Sequence, residues 1–299
     1  MKKTLYFSIA SHGFGHIGMT APIINYCLQY LPSVTVVIQC ATTKENLKQW
    51  IKGEFIHVNS STDIGVINKT AFIVQREATH QLYLKRHLNW STLVEQQVQL
   101  LSTYSPDLVI SNISETIIEA THQANINCLA LCSLNWADIY WAYCQHLPRA
   151  QEIFERLVSA YQKANHFLTP APSMKMPHFN NTVPIGPIAR TGRTLSSLQQ
   201  ALNIPLHKKV VLVSMGGIPT PINTSHWPQD DNIIWLGNFG QNARKDLIYF
   251  PSLDLSYIDI LSNCDALITK PGYGNFVKHV VMGFLFCTLG GLIGQKNPV

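Results

Sequence analysis

Charged side chains are scarce in this chain, and the signatures of several common types of site are missing. Asp, Glu, Lys and Arg make up 13% of the 299 residues, below the roughly 25% of typical soluble domains. The net charge of +5 is not concentrated in a Lys/Arg run, so nucleic-acid binding is not indicated. The seven cysteines include no C-x-x-C pair, which argues against a disulfide framework and favours a reducing, cytoplasmic compartment.

Further absences narrow the function classes. The sequence contains no HExxH, G-x-S-x-G or P-loop, so it lacks the marks of zinc proteases, α/β-hydrolases and P-loop NTPases. No grouping of ligand residues suggests a metal, and no apolar run reaches the roughly 18 residues that span a bilayer. What remains is a chain that is 46% hydrophobic, as expected for a well-buried globular protein, with a length that favours two domains.

The most informative stretch, residues 11–20, reads SHGFGHIGMT. It follows the apolar run 4–10 and precedes residues 21–31, where apolar side chains recur at helical spacing. The pattern predicts a strand, a glycine-rich loop and a helix. The glycines permit a tight turn, and the N-terminus of the helix is suited to an anion. His12 and His16 lie at this point.

Three interpretations of this loop stay open. Gly13, Gly15 and Gly18 spell the G-x-G-x-x-G fingerprint of dinucleotide sites, which would make the protein an NAD-dependent oxidoreductase. That fingerprint needs an acidic residue about 20 positions later for the ribose, but none precedes Glu45. In the second interpretation the loop is the floor of a cleft, with a histidine as base. In the third it is an ordinary turn with solvent-facing histidines.

The rest of the first half alternates between apolar runs and helical periodicity, which predicts a parallel sheet covered on both faces. The predicted strands are residues 34–40, 55–58, 108–111, 128–132 and 166–168. The predicted helices are residues 42–50, 86–104, 115–124 and 149–164. Thr42 and Glu45 have the spacing of a capping box at the first of these helices, and residues 60–72 are predicted to be a polar loop beside a cleft.

Residues 169–187 contain five prolines and are predicted to be a linker between an N-terminal Rossmann-like domain, residues 1–168, and a C-terminal domain, residues 188–299. The second half repeats the same alternation, with predicted strands at 209–214, 232–236 and 265–269 and predicted helices at 195–202 and 255–263. We therefore expect an α/β protein of two Rossmann-like domains that face a cleft, lined by the carboxyl ends of both sheets.

Four segments of the sequence carry a family resemblance. They are GFGHIGMTAP at 13–22, PDLVIS at 106–111, VLVSMGG at 211–217 and DALITKPGYG at 265–274. With them, and up to about Val277, the chain resembles the two-domain glycosyltransferases of the GT-B fold. It looks most like the branch of UDP-glycosyltransferases that contains the lipid II-forming N-acetylglucosaminyltransferase. The opening loop is also similar to that of the sugar-kinase-associated domain of plant arabinokinase.

The resemblance implies transfer of a sugar from a UDP-sugar donor to an unknown acceptor, without a metal or a cofactor. The donor would bind the C-terminal domain and the acceptor the N-terminal domain. His16 aligns with a histidine that serves in related enzymes as a base or as a contact on the cleft floor, and a helix N-terminus favours its neutral form. As a loop residue it should bury little, so His16→Ala is expected to lower kcat roughly 10²–10⁴-fold and to leave stability nearly unchanged.

The other site residues implied by the resemblance fall into two groups. Glycines of the second half would let the backbone approach the diphosphate, hydroxyls would donate to it, and Leu236 with Gly237 would form the rim of the uracil pocket. The donor-binding set is Ser214, Gly216, Gly217, Leu236, Gly237, Thr269, Lys270, Gly272, Tyr273 and Gly274. The acceptor-side set is His12, Gly13, Gly15, Asn112 and Ser114. Trp136, Tyr140 and Trp141 would line an acceptor groove, rest on a membrane surface as a peripheral contact, or pack in the core.

One position departs from the family. A glutamate that holds the donor ribose is expected four residues after the second glycine of KPGYG, but Lys278 stands there, and a lysine cannot accept hydrogen bonds. A permitted coding with one inserted base restores the glutamate, so we expect a shifted reading frame from Lys278 onward, a truncated second domain and weak or absent transfer. A nucleotide-sugar-binding protein without turnover and an epimerase on the same fold remain as alternatives.

Overall fold

The computed structural model describes residues 3–12, 14–70, 73–190, 192–216, 222–239, 244–250, 253, 255–270, 272–273 and 285–288. The chain divides into two compact units: residues 1–67 with 74–188, and residues 68–73 with 189–299. Each unit is built on a parallel sheet, which confirms the α/β class predicted from the sequence. Lys278, the position of the predicted departure from the family, lies outside the described residues.

Strands and helices alternate along most of the described chain. In chain order they are β1 (Lys3–Ile9), α1 (Gly15–Tyr30), β2 (Val34–Gln39), α2 (Lys44–Lys48), β3 (Ile56–Val58), β4 (Asn68–Thr70), β5 (Ile73–Val74), α3 (Arg76–Leu88), α4 (Trp90–Tyr104), β6 (Leu108–Asn112), α5 (Glu115–Gln123), β7 (Cys128–Leu131), α6 (Trp136–Cys144), α7 (Ala150–Gln162), β8 (His166–Pro170), β9 (Thr182–Ile185), α8 (Leu198–Ala201), β10 (Lys209–Ser214), β11 (Ile233–Gly237), β12 (Leu247–Tyr249), α9 (Tyr257–Leu261), β13 (Ala266–Thr269) and β14 (Leu285–Thr288).

The first unit holds a seven-stranded sheet in the order β3-β2-β1-β6-β7-β8-β9, with each neighbouring pair parallel. The last four residues of β1, β2 and β6 are buried without alternation. Strands that are buried on both faces have continuous apolar sequences, and for this reason these strands could be predicted from the sequence. Tyr6 and Phe7 are fully enclosed.

The second unit holds a five-stranded sheet in the order β12-β11-β10-β13-β14, again with parallel neighbours. Its strands bury apolar side chains on both faces. One face is packed by a cluster that includes Leu212, Leu236 and Leu267. The other face carries Val213 and Trp235. Strands β4 and β5 form a separate two-stranded sheet. Strand β4 lies inside residues 60–72, which were predicted to be a loop, and β5 begins directly after them.

The largest differences between predicted and observed helices occur at two places. Helix α1 begins at Gly15 rather than at residue 21, because residues 16–21 are buried and extend the helix through the glycines. The predicted helix 86–104 is two helices, α3 and α4, separated at Asn89. The side chain of Asn89 donates to the carbonyl oxygen of Lys85 at 2.8 Å, and such local side-chain bonds compete with helix continuation.

Two further predictions are corrected. The N-cap of α2 is Thr43, whose hydroxyl accepts from the backbone N–H of Asn46, so the proposed capping box at Thr42 is wrong. Part of the predicted linker 169–187 is strand, because β9 pairs with β8 as the last strand of the first sheet. Pro184 is tolerated there because an edge strand has one side free of ladder bonds. The first unit extends to residue 188, so only the end of the proline-rich segment coincides with the boundary between the units.

Candidate functional site

The candidate site of the first unit lies at the carboxyl edge of its sheet. Ile9 of β1 is paired with Asn112 of β6, and Ser111 of β6 is paired with Ala130 of β7. The residues that follow these strand ends therefore meet at one edge, which is where ligands of open α/β sheets bind. His12 and His16 follow β1 at this edge.

His16 is the second residue of α1 and is only 8% exposed. Its Nδ1 lies 2.8 Å from Oδ1 of Asn112. The amide nitrogen of Asn112 donates to the Thr20 hydroxyl at 2.8 Å and to the His16 carbonyl oxygen at 3.3 Å. These bonds orient the amide, so Oδ1 accepts from Nδ1–H and Nε2 of His16 carries the lone pair.

The environment of His16 favours the neutral imidazole. Burial lowers the pKa of His16, although the charge of Asp63 and the bond to Asn112 act in the opposite direction. The expectation that His16 is a loop residue that buries little is wrong, because helix α1 starts before it and the residue is buried. Replacement of His16 should therefore affect stability as well as any activity.

His12 is paired with a carboxylate. Its Nε2 lies 3.0 Å from Oδ1 of Asp63, whose side chain is completely buried, while the His12 side chain is 31% exposed. The second oxygen of Asp63 accepts from the indole N–H of Trp136 at 2.7 Å. Burial alone would lower the pKa of His12, but the hydrogen bond and charge of Asp63 outweigh it, so the pKa of His12 is raised.

The same pair changes the acidity of Asp63. Burial alone would raise the pKa of Asp63, but its hydrogen bond with His12 and the charges of His12 and His16 leave the pKa of Asp63 lowered. The ring of Trp136 contacts both histidines, with its centroid 5.7 Å from that of His12 and 5.9 Å from that of His16. The Asp63 carboxylate therefore binds His12 and Trp136, and the Trp136 ring contacts both imidazoles. The pKa values of the two imidazoles are shifted in opposite directions, a pattern typical of acid–base sites.

The backbone around Asp63 is fixed by buried polar groups. The Thr62 carbonyl oxygen accepts from the hydroxyl of Ser114 at 2.8 Å and from the guanidinium of Arg86. Arg86 also forms a buried ion pair with Glu115, with a distance of 2.6 Å between Nε and Oε1. These contacts make the position of Asp63 depend on α3 and α5 rather than on the loop alone.

A glycine of the same loop supports His12. Gly65 has a φ of +55°, and a Cβ added there would lie 2.9 Å from Cδ2 of the His12 ring. Gly15, by contrast, has open space within 4 Å of an added Cβ. Close approach to the imidazole therefore requires a glycine at position 65, whereas nothing in the described surroundings requires one at position 15.

The other acceptor-side predictions have mixed outcomes. Asn112 and Ser114 are fully buried, with their polar atoms engaged. They lie at the predicted edge but hold His16 and the Thr62 loop in place, so the prediction that they touch an acceptor is not supported. Gly13 lies outside the described residues.

The aromatic segment is mainly core. Trp136 is 5% exposed and Tyr140 is fully buried, so neither side chain can rest on a membrane surface. Trp141 is half-buried and packs on Phe154, with 4.9 Å between ring centroids. Among the described residues, no helix combines the length and apolar character needed to cross a membrane.

Asp63 is the functional candidate that sequence reasoning missed. It is the one acidic residue between Glu54 and Glu77, in a segment that was predicted to be a polar loop. A lone carboxylate soon after a strand of the same sheet is a signal that could have been followed. The partner histidine, however, is 51 positions away in the sequence.

In the second unit, the predicted donor residues gather at the carboxyl edge of three neighbouring strands. Ser214 is paired with Thr269, and Val213 is paired with Gly237. Gly216 follows β10 with a φ of +75°, a left-handed conformation that favours glycine. The structure thus brings together the ends of β10, β11 and β13, as the sequence predicted.

Two of these residues have other roles than predicted. Leu236 is fully buried in the apolar cluster of the sheet, so it is not the rim of a uracil pocket. Thr269 is 1% exposed, and its hydroxyl donates to the Ser214 carbonyl oxygen at 2.6 Å. Its proton therefore ties two strand ends together and is not directed at a ligand.

Lys270 provides a positive charge beside the glycine turn. Its Cε lies 3.5 Å from the place of a Cβ added to Gly216, and burial lowers its pKa. Gly272 and Tyr273 follow it, whereas Gly217 and Gly274 lie outside the described residues. Among the residues that the structure describes, no group of three or more His, Cys, Asp or Glu side chains could hold a metal ion.

Comparison with known proteins gives distant relatives. No family model matches the chain. It is similar to L-arabinokinase of Arabidopsis thaliana, with 21% identity over 282 residues, which cover 91% of the chain but only 27% of the kinase. Because the chain spans about a quarter of that relative, the kinase's own activity does not carry over.

Solved structures are similar over nearly the whole chain. A UDP-glucosyltransferase from Polygonum tinctorium, capable of glucosylating indoxyl, matches with a TM-score of 0.61 and 12% identity, covering 96% of this chain and 80% of that one. A Listeria monocytogenes protein described as a UDP-N-acetylglucosamine 2-epimerase matches with a TM-score of 0.57 and 10% identity, covering 97% and 79%. The chain therefore has the GT-B type of α/β fold, with two parallel-sheet units, that is found in UDP-glycosyltransferases.

Proposed function

We propose that this protein is a glycosyltransferase that moves a sugar from a UDP-sugar to the hydroxyl of an acceptor, with the weak turnover expected when Lys278 stands in place of the glutamate that would hold the donor ribose. The donor would bind the carboxyl edge of the second unit and the acceptor the histidine edge of the first. The observation that carries the proposal is the histidine edge itself, where two imidazoles, one carboxylate and one indole are held by buried hydrogen bonds. Such preorganised groups suit the removal of a proton from a hydroxyl.

In the proposed reaction the first unit removes a proton and the second unit stabilises the departing UDP. In the first, a neutral imidazole accepts the acceptor proton while the oxygen attacks the anomeric carbon. In the second, the sugar–diphosphate bond breaks and UDP leaves. The turn at Gly216 and the charge of Lys270 suit the diphosphate, because backbone N–H groups and a cation both stabilise phosphate oxygens. No metal is part of the proposal, so turnover should withstand EDTA.

The motif order resembles that of the branch that forms lipid II, so we propose a donor of the N-acetylglucosamine type. This is the finer part of the proposal. It predicts tighter binding of UDP-N-acetylglucosamine than of UDP-glucose, because the acetamido group would add contacts. Equal affinities for the two donors would remove this part and leave the general transferase proposal intact.

A second candidate is epimerisation of a UDP-sugar, which the Listeria neighbour on the same fold favours. It is distinguished by turnover without any acceptor. If UDP-N-acetylglucosamine alone is converted to its 2-epimer, and no UDP accumulates, the epimerase is correct and the transferase is not.

The residue at the end of β2 argues against the oxidoreductase alternative. Gln39 stands there, fully buried, and its amide oxygen accepts from the Tyr6 hydroxyl at 2.8 Å. A dinucleotide site needs a carboxylate near this point for the ribose. Isothermal titration with UDP, UDP-glucose, UDP-N-acetylglucosamine and NAD tests the choice. We expect heat of binding from the uridine ligands, and binding of NAD without binding of UDP would overturn the proposal.

A further inference from the structure

A small cavity of the first unit lies between α3, α4 and α7, and the proposed reaction makes no use of it. Its volume is about 10 Å³, which is room for one particle of the size of a water molecule. Three of the side chains that line it are cationic or become so on protonation, namely Arg86, His87 and Arg156, and the others are apolar or aromatic. The wall of the cavity is therefore suited to an anion and not to a cation.

His87 presents a buried nitrogen without a partner. Its side chain is nine-tenths buried, and its Nδ1 has no hydrogen-bond partner in the part of the chain that the structure describes. The other ring nitrogen, Nε2, lies 3.8 Å from Oε2 of Glu152, which is too far for a hydrogen bond. Because a buried polar atom without a partner is costly, Nδ1 indicates a ligand that the protein itself does not supply.

Arg156 brings a charge that is not neutralised by a contact. Its Nη1 donates to the His87 carbonyl oxygen at 3.1 Å, and its guanidinium lies over the ring of Trp90 at 5.5 Å from the centroid. Among the described residues, its Nε and Nη2 form no hydrogen bond and no carboxylate lies within 4 Å. A guanidinium is always charged and its N–H groups only donate, so Arg156 can bind an anion in the cavity.

Arg86 connects the cavity wall to the loop that carries Asp63. It forms the buried ion pair with Glu115, and its Nη2 donates to the Thr62 carbonyl oxygen. Its Nη1 makes no hydrogen bond with the residues that the structure describes. Since Glu115 balances the charge of Arg86, the surplus positive charge at the cavity is that of Arg156.

The other charges near His87 determine how the site responds to pH. Burial lowers the pKa of His87, the two nearest arginines lower it further, and one glutamate raises it. These charges come from α7 and the residue before it: Arg149, Glu152 and Arg156. Helix α4 faces the cavity with the Trp90 ring, and α6 packs nearer the start of α3, where Tyr140 bonds to His80. An anion beside Nδ1 would offset the arginines, so anion binding and protonation of His87 favour each other.

We propose that this cavity binds one chloride ion, held by the guanidinium of Arg156 and by Nδ1–H of His87, with Nη1 of Arg86 as a neighbouring donor. A monatomic anion fits the small volume, whereas phosphate, sulfate and carboxylates are larger than the space. The inference goes beyond the proposed function and does not depend on it. Because Arg86 also donates to the Thr62 carbonyl oxygen, bound chloride would stabilise the loop that carries Asp63.

The first experiment measures the melting temperature of the full chain while sodium chloride replaces sodium gluconate at constant ionic strength. Gluconate is too large for the cavity, and constant ionic strength keeps the screening of surface charges unchanged. We expect a saturable rise of a few degrees. The rise should be larger at pH 5.5 than at pH 8, because the imidazolium of His87 supplies both a charge and a donor. Chlorine NMR should also show a line that the chain broadens and that bromide narrows by displacement.

Variants locate the effect. Arg156→Met keeps an apolar stem beside Trp90 but removes the charge, and His87→Phe keeps a ring but removes Nδ1, so both should lose the chloride-dependent rise. Arg156→Lys, which keeps the charge, should retain part of it. Arg149→Met is the matched control, because it removes an equal charge next to the same helix but does not line the cavity. It should retain the full rise.

Each outcome supports or overturns the chloride site. Equal melting temperatures in chloride and gluconate, without broadening of the chlorine line, would mean that the cavity holds water and that the proposal is wrong. A chloride effect that is unchanged in a folded Arg156→Met variant, or that is lost equally in Arg149→Met, would place the anion elsewhere. If the cavity variants do not fold, crystals of the wild type soaked in bromide decide by anomalous scattering. A bromide peak between His87 and Arg156 supports the site, and bromide found only elsewhere overturns it.

Discussion

The carboxyl edges of the two sheets differ in the chemical groups that form them. In the first unit the edge consists of side chains bonded to one another: the Asp63 carboxylate holds His12 and Trp136, and the Asn112 amide holds His16. In the second unit it consists of strand ends and a glycine turn at Gly216. Under the proposed function the difference follows from the chemistry, because proton transfer requires fixed side-chain geometry, whereas a diphosphate requires mainly the close approach of backbone.

The largest effect is expected when the support of the first edge is broken. Arg86→Met removes one partner of the buried ion pair with Glu115 and a donor to the Thr62 carbonyl oxygen. A lone buried carboxylate typically costs roughly 3–5 kcal/mol of unfolding free energy, which urea denaturation will measure. Arg149→Met breaks an exposed pair with Glu152 and should change stability little.

The double variant Arg86→Met/Glu115→Met sharpens this test. It removes both charges, so it should recover much of the stability that Arg86→Met loses. If the single variant is as stable as the wild type, the buried pair does not support the loop that carries Asp63.

The next effect concerns His16. His16→Ala leaves the Asn112 oxygen without its donor and opens a cavity beside α1, so we expect a loss of roughly 1–3 kcal/mol. The melting temperature of His16→Ala, compared with that of the exposed control His178→Ala, measures it. Equal melting temperatures for the two variants would restore the view of His16 as a loop residue.

A smaller effect is expected at the second edge. Gly216→Ala places a Cβ on a residue with a φ of +75°, which costs about 1–2 kcal/mol, and it should weaken UDP binding in calorimetry. Gly15→Ala, with open space around the added Cβ, should be neutral or stabilise by up to about 1 kcal/mol. UDP affinity that is the same in Gly216→Ala and the wild type would argue against a donor site at this turn.

The smallest effect is a pH dependence of stability. The pKa of His16 is lowered from 6.5, so below pH 6.5 the unfolded chain binds more protons and stability rises with pH. The pKa of His12 is raised from 6.5, so its contribution is complete below pH 6.5 and is lost as pH rises through the folded pKa. The contribution of these two residues to the unfolding free energy should therefore be largest near pH 6.5.

Denaturation curves of the single variants separate the two slopes. His12→Gln should remove the fall above pH 6.5 and keep the rise below it, and His16→Gln should do the reverse. Identical slopes in wild type and both variants would show that neither histidine has a shifted pKa.

Much of the fold could be predicted because buried parallel strands are continuous apolar runs. Strand β10 was predicted with its observed bounds, and β6 and β7 within one residue. The glycine turn at Gly216 and the grouping of Ser214, Gly237 and Thr269 at one edge followed from the strand ends.

The missed features depend on contacts between distant residues. Asp63 is in a segment without periodicity. Its contact with His12 depends on the hydrogen bonds that the Thr62 carbonyl oxygen accepts from Arg86 of α3 and from Ser114 at the start of α5. Leu236 stands at a strand end, where sequence cannot distinguish a pocket rim from the core. Pro184 suggested a linker because an edge strand and a linker both tolerate proline.

The central claim is that the carboxyl edge of the first sheet is suited to proton transfer, because neighbouring groups shift the pKa values of His12 and His16 in opposite directions. It is tested most directly by NMR titration of the His12 and His16 ring signals, assigned with the two glutamine variants. The account predicts that His12 titrates above pH 6.5 and His16 below it, and that Asp63→Asn moves the His12 transition to lower pH. Titration of His16 above His12, or of both at pH 6.5, would contradict it.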